Sequence, residues 1–236
     1  EWCGPSQGRL IPCGIVQLWD PELAAAEVRR CAERGMKAIT FSENPVLLDL
    51  PSIYTDHWDP LFQACQEHGI VVCEHVGSSS QLPNTAPEAP LAVVHVTPAL
   101  NSAMAMIDWL FAGMPVRFPD LKLCLSECQI GWIPYVLGRI DRLWEFNGSY
   151  TGIREVLDNP PSTYFTSNIF VTFFEDRFGV SVIDEVGVDN VMFETDYPHG
   201  DSTWPDCQTV AERETAGLSP ENIEKVVRGN ARKLFR

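Results

Sequence analysis

Glu43, His75, Glu127 and Asp196 are scattered along the chain, yet each follows closely on a short apolar run. The hydroxyls of Ser42, Ser126 and Thr172 occupy matching positions. Carboxylates and imidazoles are the usual ligands of divalent ions such as Zn2+ or Mn2+. Such an ion polarises a substrate oxygen, or lowers the pKa of a bound water to about 7. Each residue also has a plainer role open to it. His75 could be a hydrogen-bonded core histidine, and Glu127 could pair with Arg139 or Arg142. Glu43 could cap a loop, and Asp196 could cap the next helix.

The densest chemistry lies in Val191-Met-Phe-Glu-Thr-Asp-Tyr-Pro-His-Gly-Asp-Ser-Thr-Trp-Pro205. Val191 to Phe193 has the apolar character of a buried strand, polar residues begin at Glu194, and Pro198 ends any ladder because it lacks an N–H. Asp201, Ser202 and Thr203 are N-cap types ahead of a helix expected near Pro205. An acid at the tip of a buried strand, followed by a helix, is a common catalytic position in α/β enzymes.

Strand and helix signals alternate throughout. Strands are expected over 10–18, 37–41, 70–73, 121–125, 169–173 and 191–195. Between them, Asp20-Pro21-Glu22 opens a helix ended by Gly35, and Asp56-His57-Trp58-Asp59-Pro60 opens another ended by Gly69. Helices are also expected over 101–112, from Ile133 to Trp144, over 178–186, after Trp204 and from Ser219. Residues 81–90 carry three prolines and read as loop, and 147–163 as an irregular insertion. The pattern favours one domain, 1–236, built on a parallel sheet flanked by helices, either a (β/α) barrel or a doubly wound sheet. Parallel strands would bring the residues named above to one common rim. Side-chain alternation turns Glu74 away from His75.

Composition narrows the partners. A net charge of −15 over 236 residues argues against a nucleic acid, whose phosphates need a basic face. No apolar run approaches the roughly 20 residues of a membrane span, and no signal segment stands at the front. None of the eight cysteines forms a Cys-x-x-Cys pair. They read as small buried apolar residues in a reducing compartment, so a cytoplasmic location is expected. The expected partner is a small molecule, with self-association through exposed sheet edges a further possibility.

Several stretches carry a family resemblance: Phe41-Ser-Glu-Asn-Pro45, Asp56-His-Trp-Asp-Pro60, Cys73-Glu-His-Val-Gly-Ser-Ser79, Leu125-Ser-Glu-Cys-Gln-Ile-Gly-Trp-Ile-Pro134, Phe193 to Pro205, and Arg228-Gly-Asn-Ala231. In these the chain resembles the amidohydrolase-related group of the amidohydrolase superfamily, the branch with aminocarboxymuconate-semialdehyde and resorcylate-type decarboxylases. The resemblance implies an α/β fold of the (β/α)8 TIM-barrel type, a metal-dependent hydrolase fold. By it, His75 matches the metal-binding histidine after barrel strand five. Asp196 matches the aspartate after strand eight, which binds metal or orients its water.

Two departures stand out. Where the decarboxylases carry a catalytic histidine at the strand-six tip, this chain has Glu127, a proton acceptor that cannot act as an imidazolium. Nor does anything before Leu10 resemble the family's His-x-His or acid-x-His pair. The chain is therefore expected to enter at the third barrel strand and to hold about six βα units.

With these departures, the resemblance implies a metal-dependent hydrolase of a small carboxylated or phenolic molecule, with a decarboxylase and a non-catalytic barrel as alternatives. His75 and Asp196 would bind the metal, Zn2+ foremost and Mn2+ as the other candidate. Glu127 and Asp196 would be catalytic, while Glu43, His57, His199 and Trp204 would contact the substrate.

Overall fold

The computed structural model describes residues 3–236. Six parallel strands form one sheet: β1 (Cys13–Ile15), β2 (Ala38–Phe41), β3 (Val71–His75), β4 (Leu123–Ser126), β5 (Ile169–Phe173) and β6 (Val191–Phe193). Their spatial order is their chain order, β1-β2-β3-β4-β5-β6. Right-handed crossovers between successive neighbours place the connecting helices on one side of the sheet. A doubly wound sheet would reverse its order partway. The sheet is therefore an arc of a TIM-type barrel, running among the described residues from an edge at β1 to an edge at β6.

Alternation along each strand sorts side chains between two cores. Ile39, Phe41, Val72, Leu123, Leu125, Val171, Phe173 and Val191 face the helices and join the main core. There Phe41 meets Trp58 and Phe62 edge-on, at centroid distances of 5.0 and 5.2 Å. Burying such side chains contributes ~1.5–3 kcal/mol each. The other face carries Ala38, Val71, Cys124, Phe170 and Met192, a small core covered partly by Ala231, Leu234 and Phe235 of the C-terminal helix.

Asp20 caps α1 (Pro21–Ala32), its carboxylate accepting from the Glu22 and Leu23 amides. Gly69, at φ +60°, ends α2 (Asp59–His68) in the left-handed conformation that glycine adopts without strain. Three buried asparagines then tie the N-terminal ends of the later strands together. Asn168 donates to the Pro119 and Leu121 carbonyls, Asn190 to those of Thr166 and Ile169, and Asn230 to those of Val188 and Val191. Each side-chain amide satisfies two carbonyls that the ladder leaves open.

The structure corrects several boundaries. The first strand shrinks to Cys13–Ile15 because it is an edge with one neighbour, and no strand precedes it among the described residues. The 147–163 segment is mostly helical, with helices at Ile133–Thr151, Ile153–Val156 and Pro161–Asn168. Tertiary contacts override its glycines: the Arg154 guanidinium lies over the Trp144 ring and donates to the Trp144 and Glu145 carbonyls. A short α3 (Leu91–Val96) precedes α4, which starts early, at Pro98, and runs to Phe111. The helix expected near Pro205 begins at Cys207. All eight cysteines are free, with Cys65, Cys124 and Cys128 buried but Cys13 exposed on its edge. No helix among the described residues is long and apolar enough to cross a membrane.

Candidate functional site

The C-terminal ends of β3, β4 and β6 bring His75, Glu127 and Asp196 together. His75 Nε2 lies 2.7 Å from Glu127 Oε1, while Nδ1 lies 2.6 Å from the Val76 carbonyl oxygen. A carbonyl only accepts, so Nδ1 carries a proton and Nε2 is the pole left for the carboxylate or a cation. With both nitrogens donating, the imidazolium form is favoured: the Glu127 hydrogen bond, chiefly, pushes the His75 pKa up to about 9. Burial opposes ionisation of Glu127, but its hydrogen bonds with His75 and Asp196 and the nearby imidazoles outweigh burial and lower its pKa. Asp196 moves the other way, raised by burial and by the hydrogen bond it shares with Glu127.

His199 completes the cluster. Its Nδ1 is 2.5 Å from Asp196 Oδ2, and ligand atoms of Glu127, Asp196 and His199 all lie within 4.8 Å of one another. This donor set fits a divalent cation. Two carboxylates and the His199 imidazole converge, and His75, held to Glu127, has its second nitrogen fixed by a carbonyl, the usual way a ligating imidazole is oriented.

Backbone strain concentrates here. Glu127, Gln129 and Asp196 adopt φ of +56°, +53° and +53°, a region L-residues with a Cβ avoid. The turn after β4 is pinned by Asp176, whose carboxylate accepts from the Ile130, Gly131 and Gly179 amides at 2.8, 2.7 and 2.8 Å. Glycine is required at 179, where a Cβ would lie 2.4 Å from Ile130 and 2.6 Å from Asp176. The Glu127 amide donates to Thr172 Oγ1 at 2.9 Å and Glu194 Oε1 at 3.0 Å. Burial pushes the Glu194 carboxyl up to about 7.

The cluster opens into a cavity of about 920 Å³. His75, Glu127, Gln129, His199 and Asp201 form its polar side. Leu82, Leu91, Val94, Val96 and Phe174 form an apolar wall, and His95 lines it too. Other residues expected to contact substrate lie apart from this lining. Glu43 is buried beneath the loop after β3, its Oε1 accepting from the Gly77 amide, Ser79 Oγ and Asn101 Nδ2. Those donors make it a loop anchor, which corrects the substrate role expected for it. His57 stands beside Trp58 at the start of α2, ring centroids 4.8 Å apart. Trp204 packs edge-on against Tyr197, and both are 62% exposed.

Glu194, Gln129, Phe174 and His95 escaped the sequence reading. Glu194 was within reach, since Met192, Glu194 and Asp196 alternate onto one side of β6 and its extension. His95 depends on the fold of α3 over the rim, which no local pattern announces.

All 236 residues match a family model described as Amidohydrolase. The gamma-resorcylate decarboxylase of Rhizobium radiobacter is 24% identical over 257 residues, an alignment covering 100% of this chain and 73% of that protein. Among solved structures, an amidohydrolase from Mycobacterium avium subsp. paratuberculosis K-10 superposes with a TM-score of 0.80 at 24% identity, over 97% of this chain and 58% of that one. The 5-carboxyvanillate decarboxylase of Novosphingobium aromaticivorans, in complex with manganese and 4-hydroxy-3-methoxy-5-nitrobenzoic acid, gives 0.78 at 22% identity, over 99% of this chain and 66% of that one.

Proposed function

The chain belongs to the amidohydrolase family, and from that premise we propose that it serves a metal-dependent decarboxylase of a small hydroxylated aromatic acid. Glu127, standing where a histidine is expected, had favoured hydrolysis. The relatives named for decarboxylation tip the balance to carbon–carbon cleavage. The observation that carries the proposal is the convergence of Glu127, Asp196 and His199 within 4.8 Å, with His75 on Glu127, at the mouth of a cavity with an apolar wall.

His75, Asp196 and His199 would hold the cation, which supplies Lewis-acid polarisation of substrate oxygens when bound. Zinc was the first expectation from the sequence; manganese is the ion in the Novosphingobium structure. Glu127 and Asp196 share a hydrogen bond, so one proton is held between two carboxyls. From that shared position the proton would pass to the ring carbon bearing the carboxylate. The bond to that carboxylate then breaks, its electron pair returns to the ring, and CO2 leaves. Glu127 keeps Asp196 and His75 aligned through the transfer, and the apolar wall receives the ring face and excludes water.

The test is to reconstitute the protein with Mn2+, measure bound metal, and assay CO2 release from 2,6-dihydroxybenzoate and 5-carboxyvanillate. Near-stoichiometric manganese with CO2 release is the expected result. Bound metal with hydrolysis of an amide or lactone panel, and no CO2, would return the hydrolase. No metal and no turnover would leave a non-catalytic barrel.

A further inference from the structure

The β4–β5 ladder ends in register at Leu125 opposite Val171. One residue beyond β4, the Glu127 amide leaves the ladder. It finds two side-chain acceptors on the neighbouring strands, Thr172 Oγ1 on β5 and Glu194 Oε1 just past β6. Thr172 is itself placed by its contact with the Leu125 carbonyl, at 3.3 Å. Glu194 follows Phe193 directly, its own amide donating to the Phe173 carbonyl at 2.9 Å.

This arrangement bears on the strained backbone above it. At φ +56° Glu127 is disfavoured by its own Cβ, and a residue held there needs surroundings that over-determine it. A buried amide with no acceptor would cost more than the hydrogen bond itself. Two acceptors therefore make the left-handed turn the one conformation in which the amide is satisfied. With the turn set, the Glu127 carboxylate reaches His75 Nε2 and Asp196.

We propose that Glu194 is a positioning residue, which with Thr172 clamps the Glu127 amide and so fixes the left-handed backbone that aims Glu127 at His75 and Asp196. Glu194 acts here as a hydrogen-bond acceptor; its charge is not required. A glutamine at 194 therefore preserves the clamp, and an isosteric apolar residue breaks it.

The experiment compares Glu194→Gln, Glu194→Met and Thr172→Val with the unaltered chain. The first readout is hydrogen exchange at the Glu127 amide in metal-free protein, against the Leu125 amide as internal reference. Exchange at Glu127 should rise in Glu194→Met and, less, in Thr172→Val, and stay near the unaltered rate in Glu194→Gln. The second readout rests on the proposed metal site: Mn2+ affinity, from the free-ion paramagnetic resonance signal, should fall roughly 10–100-fold in Glu194→Met, as for other groups that orient a ligand. It should be kept in Glu194→Gln. An unmoved Glu127 amide in Glu194→Met, or exchange in Glu194→Gln as fast as in Glu194→Met, overturns the clamp. A loosened amide with unmoved Mn2+ affinity upholds the clamp and removes Glu127 alignment from the metal site. Should Glu194→Met fail to fold, Thr172→Val decides alone: unchanged exchange there ends the proposal.

Discussion

Glu74 and His75 are consecutive residues of β3 with opposite surroundings. Glu74 turns toward the helices and is 3% exposed, with Oε2 buried and unpartnered; His75 turns to the rim and the cavity. The nearest acid to each sharpens the contrast. Glu43, beside Glu74, gives one oxygen to three donors and leaves Oε2 without any. Glu127, beside His75, is in a charge-assisted hydrogen bond of 2.7 Å. Burial raises the Glu43 pKa and drives that of Glu74 well above the ordinary range, with Glu43 and Asp108 adding repulsion. On the rim, imidazoles outweigh burial and keep Glu127 ionised. The residue type is the same in both places. What differs is whether a cationic partner accompanies the burial.

The harshest way to break the comparison is to remove the rim acid. Glu127→Ala leaves His75 and Asp196 without their common partner, and turnover of the aromatic acid should fall ~10²–10⁴-fold, the usual size of a lost acid–base group. CO2 release under saturating Mn2+ reads this directly, and unchanged rates would remove Glu127 from the mechanism. Next comes His75→Ala, which takes away the imidazole whose second nitrogen the Val76 carbonyl fixes. Mn2+ affinity should drop by at least ~10-fold. Equal affinity in calorimetry would place the cation elsewhere.

A smaller effect appears in the metal-free protein. The Glu127 hydrogen bond, chiefly, holds the His75 pKa at about 9, so the raised His75 pKa contributes stability that is fully present below pH 6.5 and is lost as pH rises through about 9. Glu127→Ala should return the His75 titration, followed by NMR, toward 6.5. A variant still titrating near 9 would assign the shift to another group.

Much of this contrast was legible in the sequence because alternation is a local rule. The opposite facing of Glu74 and His75 follows from period two alone, and the parallel sheet from repeated strand-helix units. His75, Glu127 and Asp196 were placed together because parallel strands end at one rim. The pattern could not tell a buried anchor from a pocket residue. Glu43 occupies the same type of position as Glu127, and only Ser79 and Asn101, 36 and 58 residues away, decide its role. The helices over 147–163 were hidden for a related reason, since the packing of Arg154 on Trp144 supports them where local propensity is poor. The asparagine ties at 168, 190 and 230 were equally silent, because their acceptors are carbonyls of other segments.

The smallest predicted effect lies on the helix side of β3. In the folded chain the Glu74 carboxyl holds its proton well above 4.5, whereas the unfolded chain releases it near that value. Between the two, the folded state binds a proton that the unfolded state does not, so stability falls as pH climbs through that window. Glu74→Gln keeps the shape but has no proton to lose. Its advantage over the unaltered chain, read as a difference in melting midpoint, should be steady below pH 4.5 and widen toward neutrality. Thermal unfolding of both chains across that range reads the difference. Parallel pH profiles would mean that Glu74 is ionised in the folded protein, and hence that a cationic partner reaches the helix side as one does the rim.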